Sequence, residues 1–174
     1  MDRRTLTWNA LAILGAVTLA VACGPSNDPS GLVGKPAPDI RVTAVRPKPD
    51  VDLKDLKGKV VVLDFWATYC GPCRMLTPEL ERMQDKYRKA GLVVLGISAE
   101  DRETVTAFQE ANNRLAYDLY LDRSGLASGT YKADSIPTTV VIGKDGTIVY
   151  YNQGYSELSV VDLENRITEE LSKA

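Results

Sequence analysis

The chain has 174 residues, of which 44% are hydrophobic and 25% charged, and its formal net charge is −2 at pH 7. This length accommodates one well-filled domain with an additional segment, but not two full domains. The near-neutral charge argues against nucleic-acid binding, which normally requires a basic face. Histidine is absent, which excludes His-based general bases, most zinc and copper sites, and c-type haem attachment after a C-x-x-C pair. We therefore expect no nucleic acid, no metal and no cofactor.

The first 22 residues have the pattern of a signal peptide, a targeting segment that takes no part in the fold. Arg3 and Arg4 precede an apolar stretch from about residue 11 to residue 22. That stretch is too short to cross a bilayer, which takes about 20 apolar residues. It ends in Ala20-Val21-Ala22, small residues of the kind that a signal peptidase recognises. We predict a signal peptide over 1–22.

Cys23 follows immediately and leaves three alternatives open. The segment 19–24 resembles a bacterial lipobox, in which the cysteine becomes lipidated, although Ala20 stands where leucine is usual. The second alternative is plain cleavage, which leaves Cys23 unpaired. The third is an N-terminal anchor that is not cleaved. We predict a lipidated Cys23 at the start of a flexible linker over 23–33, because this stretch is rich in Gly, Pro and Ser. The domain over 34–174 is then expected in the bacterial cell envelope, facing the periplasm or the outer surface.

Strands alternating with helices are predicted over the rest of the chain. The segments 60–66 and 92–98 are nearly continuous apolar runs, typical of central strands covered on both faces. Lys144-Asp145-Gly146 predicts a hairpin turn near the C-terminus. This order predicts an α/β protein of three α/β/α layers around a mixed sheet. The predicted strands cover 40–45, 60–66, 92–98, 138–142 and 147–151, the helices cover 72–89, 102–112 and 157–172, and a short strand and a weak helix fall within 117–133.

The sequence Cys70-Gly71-Pro72-Cys73 directly follows the predicted strand 60–66 and begins a predicted helix. Two cysteines at this spacing can close a small disulfide, and a helix N-terminus favours a thiolate on the first sulfur. This arrangement predicts thiol–disulfide exchange, with Cys70 as the nucleophile and Cys73 as the resolving thiol. The alternatives are a fixed structural disulfide and half of a zinc site, which would need two further ligands.

Asp64 lies in the middle of the apolar run 60–66. A carboxylate without a partner is costly in such a strand, and burial raises the pKa of a carboxyl group. We expect Asp64 either to take part in proton transfer or to be held by backbone or water with no catalytic part.

These residues match a family. The stretch Asp64 to Cys73 resembles the active-site segment of thioredoxins and of exported thioredoxin-like reductases of the TlpA/ResA type. Pro78, the Ile136-Pro137-Thr138 loop and Gly154 fall in register with further thioredoxin landmarks. The segments 34–39, 55–59 and 98–135 resemble the N-terminal extension and the central insertion of the redoxin, AhpC/TSA-like branch. The resemblance covers about 32–174 and implies a thioredoxin fold with both additions.

The resemblance also implies roles for individual residues. Asp64 corresponds to the buried aspartate of thioredoxins, which is proposed to exchange a proton with the resolving cysteine. Pro137 corresponds to a cis-proline opposite the disulfide, with Ile136 offering backbone groups to a substrate strand. For Trp66 the alternative is core packing, whereas Tyr69 is expected to face substrate. The implied substrate-binding residues are Trp66, Tyr69, Gly71, Pro72, Ile136, Pro137 and Gly154.

One residue departs from the ResA-type pattern. Leu76 stands where those proteins carry a glutamate that influences their cysteines, and Glu79 is out of register. The narrow substrate choice of that group is therefore not carried over.

The implied function is an envelope thiol–disulfide oxidoreductase that reduces protein disulfides, because a Gly-Pro dipeptide belongs to the strongly reducing members. The implied partners are protein disulfides such as apo-cytochrome c, a membrane electron donor of the DsbD/CcdA type and the membrane that holds the lipid. The protein is expected to be a monomer. One alternative is a peroxiredoxin-type peroxidase, although Leu63 and Ala67 stand where its Pro and Thr are required. Another is a non-catalytic thioredoxin-like binding module.

Overall fold

The computed structural model describes residues 28–112 and 115–173. The predicted signal peptide, Cys23 and the first part of the linker lie outside the described residues. The described chain forms seven strands and four α-helices, with short 3-10 helices at Leu53–Leu56 and Arg88–Ala90. In chain order the elements are β1 Arg41–Ala44, β2 Val51–Asp52, β3 Val60–Phe65, α1 Gly71–Tyr87, β4 Leu92–Ser98, α2 Arg102–Ala111, β5 Asp118–Leu121, α3 Leu126–Thr130, β6 Thr138–Ile142, β7 Ile148–Gln153 and α4 Glu157–Ser172.

The strands form one mixed sheet in the order β2-β1-β5-β4-β3-β6-β7. The three central strands β5, β4 and β3 are parallel, whereas the remaining pairs are antiparallel. All six residues of β3 are buried, which agrees with a central strand covered on both faces. The predicted mixed sheet and C-terminal hairpin are confirmed.

Two apolar clusters cover the two faces of the sheet. Alternate residues of β3 point to opposite faces, so that Val60 and Val62 join one cluster while Val61 and Leu63 join the other. Residues of α1, α2 and α4 pack in the first cluster, which also contains both cysteines of the C-x-x-C pair. Residues of α3 and of the N-terminal extension pack in the second. These layers confirm the predicted α/β/α arrangement.

The N-terminal extension lies along both edges of the sheet. Gly34 N–H donates to the Ile148 carbonyl at 2.8 Å, and Ile148 N–H donates to the Lys35 carbonyl at 2.9 Å, beside β7. The chain then reaches the opposite edge, where β1 and β2 pair with each other and β1 pairs with β5. The extension thus pairs with the start of β7 on one side and adds the short strands β1 and β2 on the other.

Part of the predicted linker packs on the domain. The Asp28 carboxylate accepts the backbone N–H groups of Ser30 and Val33, both at 2.9 Å. Leu32 is buried in the second cluster, and the Lys132 ammonium donates to the Ser30 carbonyl at 2.6 Å. Residues 28–33 therefore pack against the domain that follows, where Leu32 finds apolar partners.

Most predicted elements occur within two residues of their expected bounds. The short strand β2 was not predicted, because its two residues Val51 and Asp52 pair with β1 only through the fold. The predicted strand and helix within 117–133 are confirmed as β5 and α3. Within the described residues, no helix has both the length and the apolar character required to cross a membrane.

Candidate active site

Cys70 and Cys73 are joined by a disulfide at the N-terminus of α1. Cys70 is the N-cap residue of this helix, and its sulfur accepts the Cys73 backbone N–H at 3.1 Å. Pro72 lies in the first turn, where the missing N–H of proline costs nothing. Cys70 is 6% exposed and Cys73 is 2% exposed. Both residues are thus buried, Cys70 slightly less so than Cys73, and Cys70 lies closest to the positive end of the helix dipole.

A loop ending in a cis peptide bond lies next to the end of β3. The Ile136–Pro137 bond is cis, as the resemblance implied. Thr138 pairs with Phe65 in the β3–β6 ladder, so Pro137 lies beside the residues that lead into the cysteine loop. Gly154 N–H donates to the Pro137 carbonyl at 2.7 Å, and Gly154 has φ +87°. The left-handed backbone at Gly154, which favours glycine, therefore fixes the cis-proline loop from the β7 side.

Asp64 is buried, with 2% of its surface exposed, and its Oδ1 atom has no hydrogen-bond partner among the described residues. Burial raises the pKa of its carboxyl group from 3.8 to about 7. The side chain lies on the same face of the sheet as both cysteines, since Asp64 alternates with Leu63 and Phe65 of the opposite cluster. A carboxyl group with a pKa near 7 can both accept and return a proton at neutral pH.

Glu100, just after β4, binds the loop that precedes Cys70. Its carboxylate oxygens accept the Thr68 backbone N–H and the Thr68 hydroxyl, each at 2.7 Å. The Ser98 hydroxyl donates to the same carboxylate at 3.2 Å. No local sequence feature indicates this contact, because it joins residues separated by 32 positions.

A surface groove of about 380 Å³ adjoins this loop. Trp66, Tyr69 and Ile136, three of the predicted substrate-binding residues, line it together with Glu100 and Ala133. Tyr69 is 76% exposed and available to a partner, whereas Trp66 is 3% exposed.

Trp66 packs on Phe108 of α2 with a ring-centroid distance of 4.9 Å. Its indole Nε1 has no hydrogen-bond partner among the described residues. The structure therefore places Trp66 mainly in the core beneath the groove.

The remaining predicted residues lie around the groove rather than along its lining. Gly71 and Pro72 form the start of α1, and Gly154 supports the cis-proline loop from behind. Leu76 is buried in the same cluster as both cysteines, and Glu79 pairs with Arg82 at 3.0 Å. Neither residue thus brings a carboxylate to the sulfurs, in keeping with the departure noted in the sequence. In the described part of the chain, no group of three or more Cys, Asp or Glu residues could hold a metal ion.

Comparison with known proteins decides the family. The AhpC/TSA family profile matches residues 33–151. The chain belongs to the AhpC/TSA family.

Two kinds of relative locate the chain within this family. The thiol-disulfide oxidoreductase ResA of Bacillus cereus is 33% identical over 140 residues, covering 80% of each chain. A Chlorobium tepidum structure assigned as the thiol:disulfide interchange protein DsbE superimposes with a TM-score of 0.73 at 29% identity, over 79% of this chain and 96% of that one.

A second structure agrees with this placement. The thioredoxin domain of a thiol-disulfide oxidoreductase from Bacteroides vulgatus has a TM-score of 0.68 at 25% identity, over 80% of this chain and 98% of that one. The expected thioredoxin fold is confirmed. This AhpC/TSA family member is an enzyme, a thiol–disulfide oxidoreductase.

Proposed function

We propose that this thiol–disulfide oxidoreductase reduces disulfides of exported proteins through Cys70 and Cys73 while anchored to a membrane of the cell envelope. One observation carries the proposal. The Cys70–Cys73 disulfide lies at the N-terminus of α1, and the Cys70 residue is 6% exposed against 2% for Cys73. An accessible nucleophile with a sheltered resolving thiol is the arrangement that thiol–disulfide exchange requires.

The reaction has two exchange steps. In the reduced protein, the Cys70 thiolate attacks one sulfur of the substrate disulfide, forming a mixed disulfide and releasing the other substrate sulfur as a thiol after protonation. The Cys73 thiol then gives its proton to the Asp64 carboxylate, and the Cys73 thiolate attacks the Cys70 sulfur. The Cys70–Cys73 bond forms, the bond from Cys70 to the substrate breaks, and the second substrate sulfur leaves with the proton returned by Asp64.

The substrate lies against the cis-proline loop in this proposal. Ile136 lines the groove beside that loop together with Tyr69, and a substrate strand there would place its sulfur near Cys70. Tyr69 offers an exposed aromatic side chain beside the same position. Contacts made mainly with backbone groups favour a range of extended polypeptides over one small molecule.

The direction of transfer is proposed from the Gly71-Pro72 dipeptide, which the resemblance associates with reducing members. A membrane donor of the DsbD/CcdA type would restore the dithiol after each cycle. Apo-cytochrome c is the proposed example of a substrate. The direction can be tested by measuring the reduction potential of the Cys70–Cys73 couple. Equilibration with a thiol buffer should give a value near that of thioredoxin, about −270 mV.

A Cys73→Ser variant tests the proposed chemistry. It keeps Cys70 but cannot resolve the mixed disulfide, so it should accumulate covalent complexes with envelope proteins that dithiothreitol releases. Cys70→Ser is the matched control and should capture far fewer. The wild-type protein should also catalyse insulin reduction by dithiothreitol. No turnover, together with a disulfide that resists dithiothreitol, would instead favour a binding module, and peroxide consumption with a thiol reductant would favour a peroxidase.

The anchor is tested separately at Cys23. The full chain expressed in a bacterium should partition into detergent and carry a lipid mass on Cys23, whereas a Cys23→Ala variant should lose both properties. Detergent partitioning that persists in Cys23→Ala would point to an uncleaved anchor. Recovery of the wild type in the aqueous phase would point to plain cleavage.

A further inference from the structure

A single charged side chain lines the groove beside the cysteine loop. Of the residues that line this groove of about 380 Å³, Glu100 alone carries a charge, and the other side chains are apolar or aromatic apart from the Ser128 hydroxyl. Glu100 is half-buried. In the part of the chain that the structure describes, no lysine or arginine pairs with its carboxylate. The groove thus combines apolar walls with a negative charge that no described cation balances.

The Glu100 carboxylate is held in place and still has room for one more donor. Its Oε2 atom accepts the Thr68 backbone N–H and the Ser98 hydroxyl, and its Oε1 atom accepts the Thr68 hydroxyl. A carboxylate offers about four lone pairs, so these three bonds leave one acceptor position, on Oε1. Because the three bonds already fix the side chain, a donor that reaches Oε1 does not pay for ordering it.

The cations nearest to the groove lining in the sequence are engaged elsewhere. Arg102 donates to two carbonyl oxygens at the C-terminal end of β1. The Lys132 ammonium donates to the Ser30 carbonyl at 2.6 Å. Asp134, which directly follows the lining residue Ala133, is exposed. The charges beside the groove therefore favour a positively charged group over a negatively charged one.

We infer that the groove binds a lysine or arginine side chain of the substrate, next to the cysteine that is attacked, and that Glu100 is the residue that selects it. The inference rests on the proposed reduction of protein disulfides and names a class of substrate for it. Lysine and arginine match both parts of the groove, because their methylene stems pack on apolar walls while the charged head meets a carboxylate. An acidic side chain would be repelled there.

The position of the groove suits a side chain close to the substrate cysteine. Tyr69 directly precedes Cys70, and Ile136 directly precedes the cis-proline, and both line the groove. A substrate strand beside Ile136 projects its side chains alternately to opposite sides. One of the residues within two positions of the substrate cysteine can therefore enter the groove.

A set of peptide disulfides tests the inference with the full chain in its dithiol form. Each peptide carries one lysine at one of the four positions within two residues of its cysteine. Matched peptides carry norleucine, which keeps the stem without the charge, or glutamate. At one position or more, the second-order rate constant for reduction of the lysine peptide should exceed that of the norleucine peptide about fivefold, the equivalent of a partly exposed charge pair. The glutamate peptide should react more slowly than the norleucine peptide.

Glu100→Gln removes the charge of the groove and keeps the shape of the side chain. Its amide oxygen can accept the Thr68 N–H and its NH₂ group can donate to the Thr68 hydroxyl, since a hydroxyl also accepts. The ratio of the lysine to the norleucine rate constant should fall to about one. A looser cysteine loop would instead lower both rate constants and leave their ratio unchanged. Glu103→Gln is the matched control, because it removes the same charge from an exposed position on α2, and it should keep the wild-type ratio.

Three results would overturn the inference. The first is equal rate constants for the lysine and norleucine peptides at all four positions in the wild type, which decides the question even if Glu100→Gln fails to fold. The second is a wild-type ratio in Glu100→Gln. The third is an equal loss of preference in Glu100→Gln and Glu103→Gln, because the preference would then reflect general charge and not the groove.

These results are distinguishable from a failure of the proposed function. If the wild type reduces every peptide at the same rate, the proposed function stands and only the inference about Glu100 fails. If it reduces neither the peptides nor insulin, the proposed function fails. Peptides with serine in place of cysteine then decide the inference, because NMR of the groove residues Ala99 and Ala133 should still show tighter binding of lysine than of norleucine peptides.

Discussion

The Glu100 carboxylate accepts two hydrogen bonds of 2.7 Å from Thr68, one from its backbone N–H and one from its hydroxyl. Thr68 lies two residues before Cys70, and the Cys70 N–H donates to the Ala67 carbonyl at 3.1 Å in the same turn. The end of β4 therefore fixes the path by which the chain leaves β3 and enters α1. Charge-assisted hydrogen bonds of this length are about twice as strong as neutral ones.

Replacing Glu100 should loosen the cysteine loop. We expect Glu100→Ala to lower the free energy of unfolding by about 1–3 kcal/mol, because it leaves the Thr68 N–H without its acceptor. The kcat/KM for insulin reduction should fall about tenfold, less than the roughly 100-fold that a misplacement of 1 Å can cause. Denaturant titration and the turbidity assay measure the two effects.

Two further variants serve as comparisons for Glu100→Ala. Thr68→Val removes only the hydroxyl bond and should give a smaller effect on both quantities. Glu103→Gln, an exposed carboxyl on α2, should change neither. A Glu100→Ala enzyme with the wild-type kcat/KM would show that the contact does not position the loop.

The raised pKa of Asp64 predicts a specific pH dependence of stability. The folded pKa of about 7 lies above the ordinary value of 3.8, so between these values the folded protein binds more protons than the unfolded chain. The contribution of Asp64 therefore favours folding below about pH 4 and is lost as the pH rises towards 7. A difference of about three units corresponds to an upper limit of roughly 4 kcal/mol.

Asp64→Asn isolates this contribution. Its free energy of unfolding relative to the wild type should increase steadily from pH 4 to pH 7 and then level off, as measured by urea titration of the oxidised proteins. Asp55→Asn changes an exposed carboxyl. Its free energy of unfolding should differ from that of the wild type by the same amount at every pH. A constant offset between Asp64→Asn and the wild type would contradict the raised pKa.

An ion-pair cluster between α1 and α4 predicts the opposite pH dependence. The Glu164 carboxylate accepts Arg82 at 2.7 Å, Lys86 at 3.1 Å and the Tyr87 hydroxyl at 2.7 Å. These bonds, that from Arg82 above all, lower the Glu164 pKa from 4.5 to about 2. Its contribution is therefore complete above pH 4.5 and is lost as the pH falls towards 2.

We expect Glu164→Gln to cost about 1–2 kcal/mol at pH 7, a value reduced by solvent screening because Arg82 is 44% exposed. The loss should shrink in high salt and disappear near pH 2. Asp85→Asn is the matched control, since Asp85 pairs with Arg88 on the exposed side of α1. It should cost little at any pH, and a Glu164→Gln loss that persists at pH 2 would exclude the electrostatic origin.

The sequence alone predicted most of the fold because its strands are short apolar runs bounded by turns. It also predicted the chemistry of Cys70 and Cys73, since their spacing and their position after a strand are local features. The contact of Glu100 with Thr68 and the packing of the Tyr117 ring beside Gly96 are different, because each depends on how distant segments pack. Gly96 is the one local sign of the latter, as a glycine in an otherwise apolar central strand indicates that another side chain comes close.

The exposure of Tyr69 and the burial of Trp66 predict that the two aromatic residues before Cys70 act differently. Tyr69 is 76% exposed, so Tyr69→Ala should change the free energy of unfolding by less than about 0.5 kcal/mol. It should raise the KM for insulin about fivefold, as loss of an aromatic contact at an interface does, while leaving reduction by dithiothreitol unchanged. Trp66→Phe should instead cost about 1–2 kcal/mol of stability through lost packing on Phe108, with little change in KM. The reverse pattern, a stability loss in Tyr69→Ala and a KM effect confined to Trp66→Phe, would show that the buried indole, not the exposed phenol, contacts the substrate.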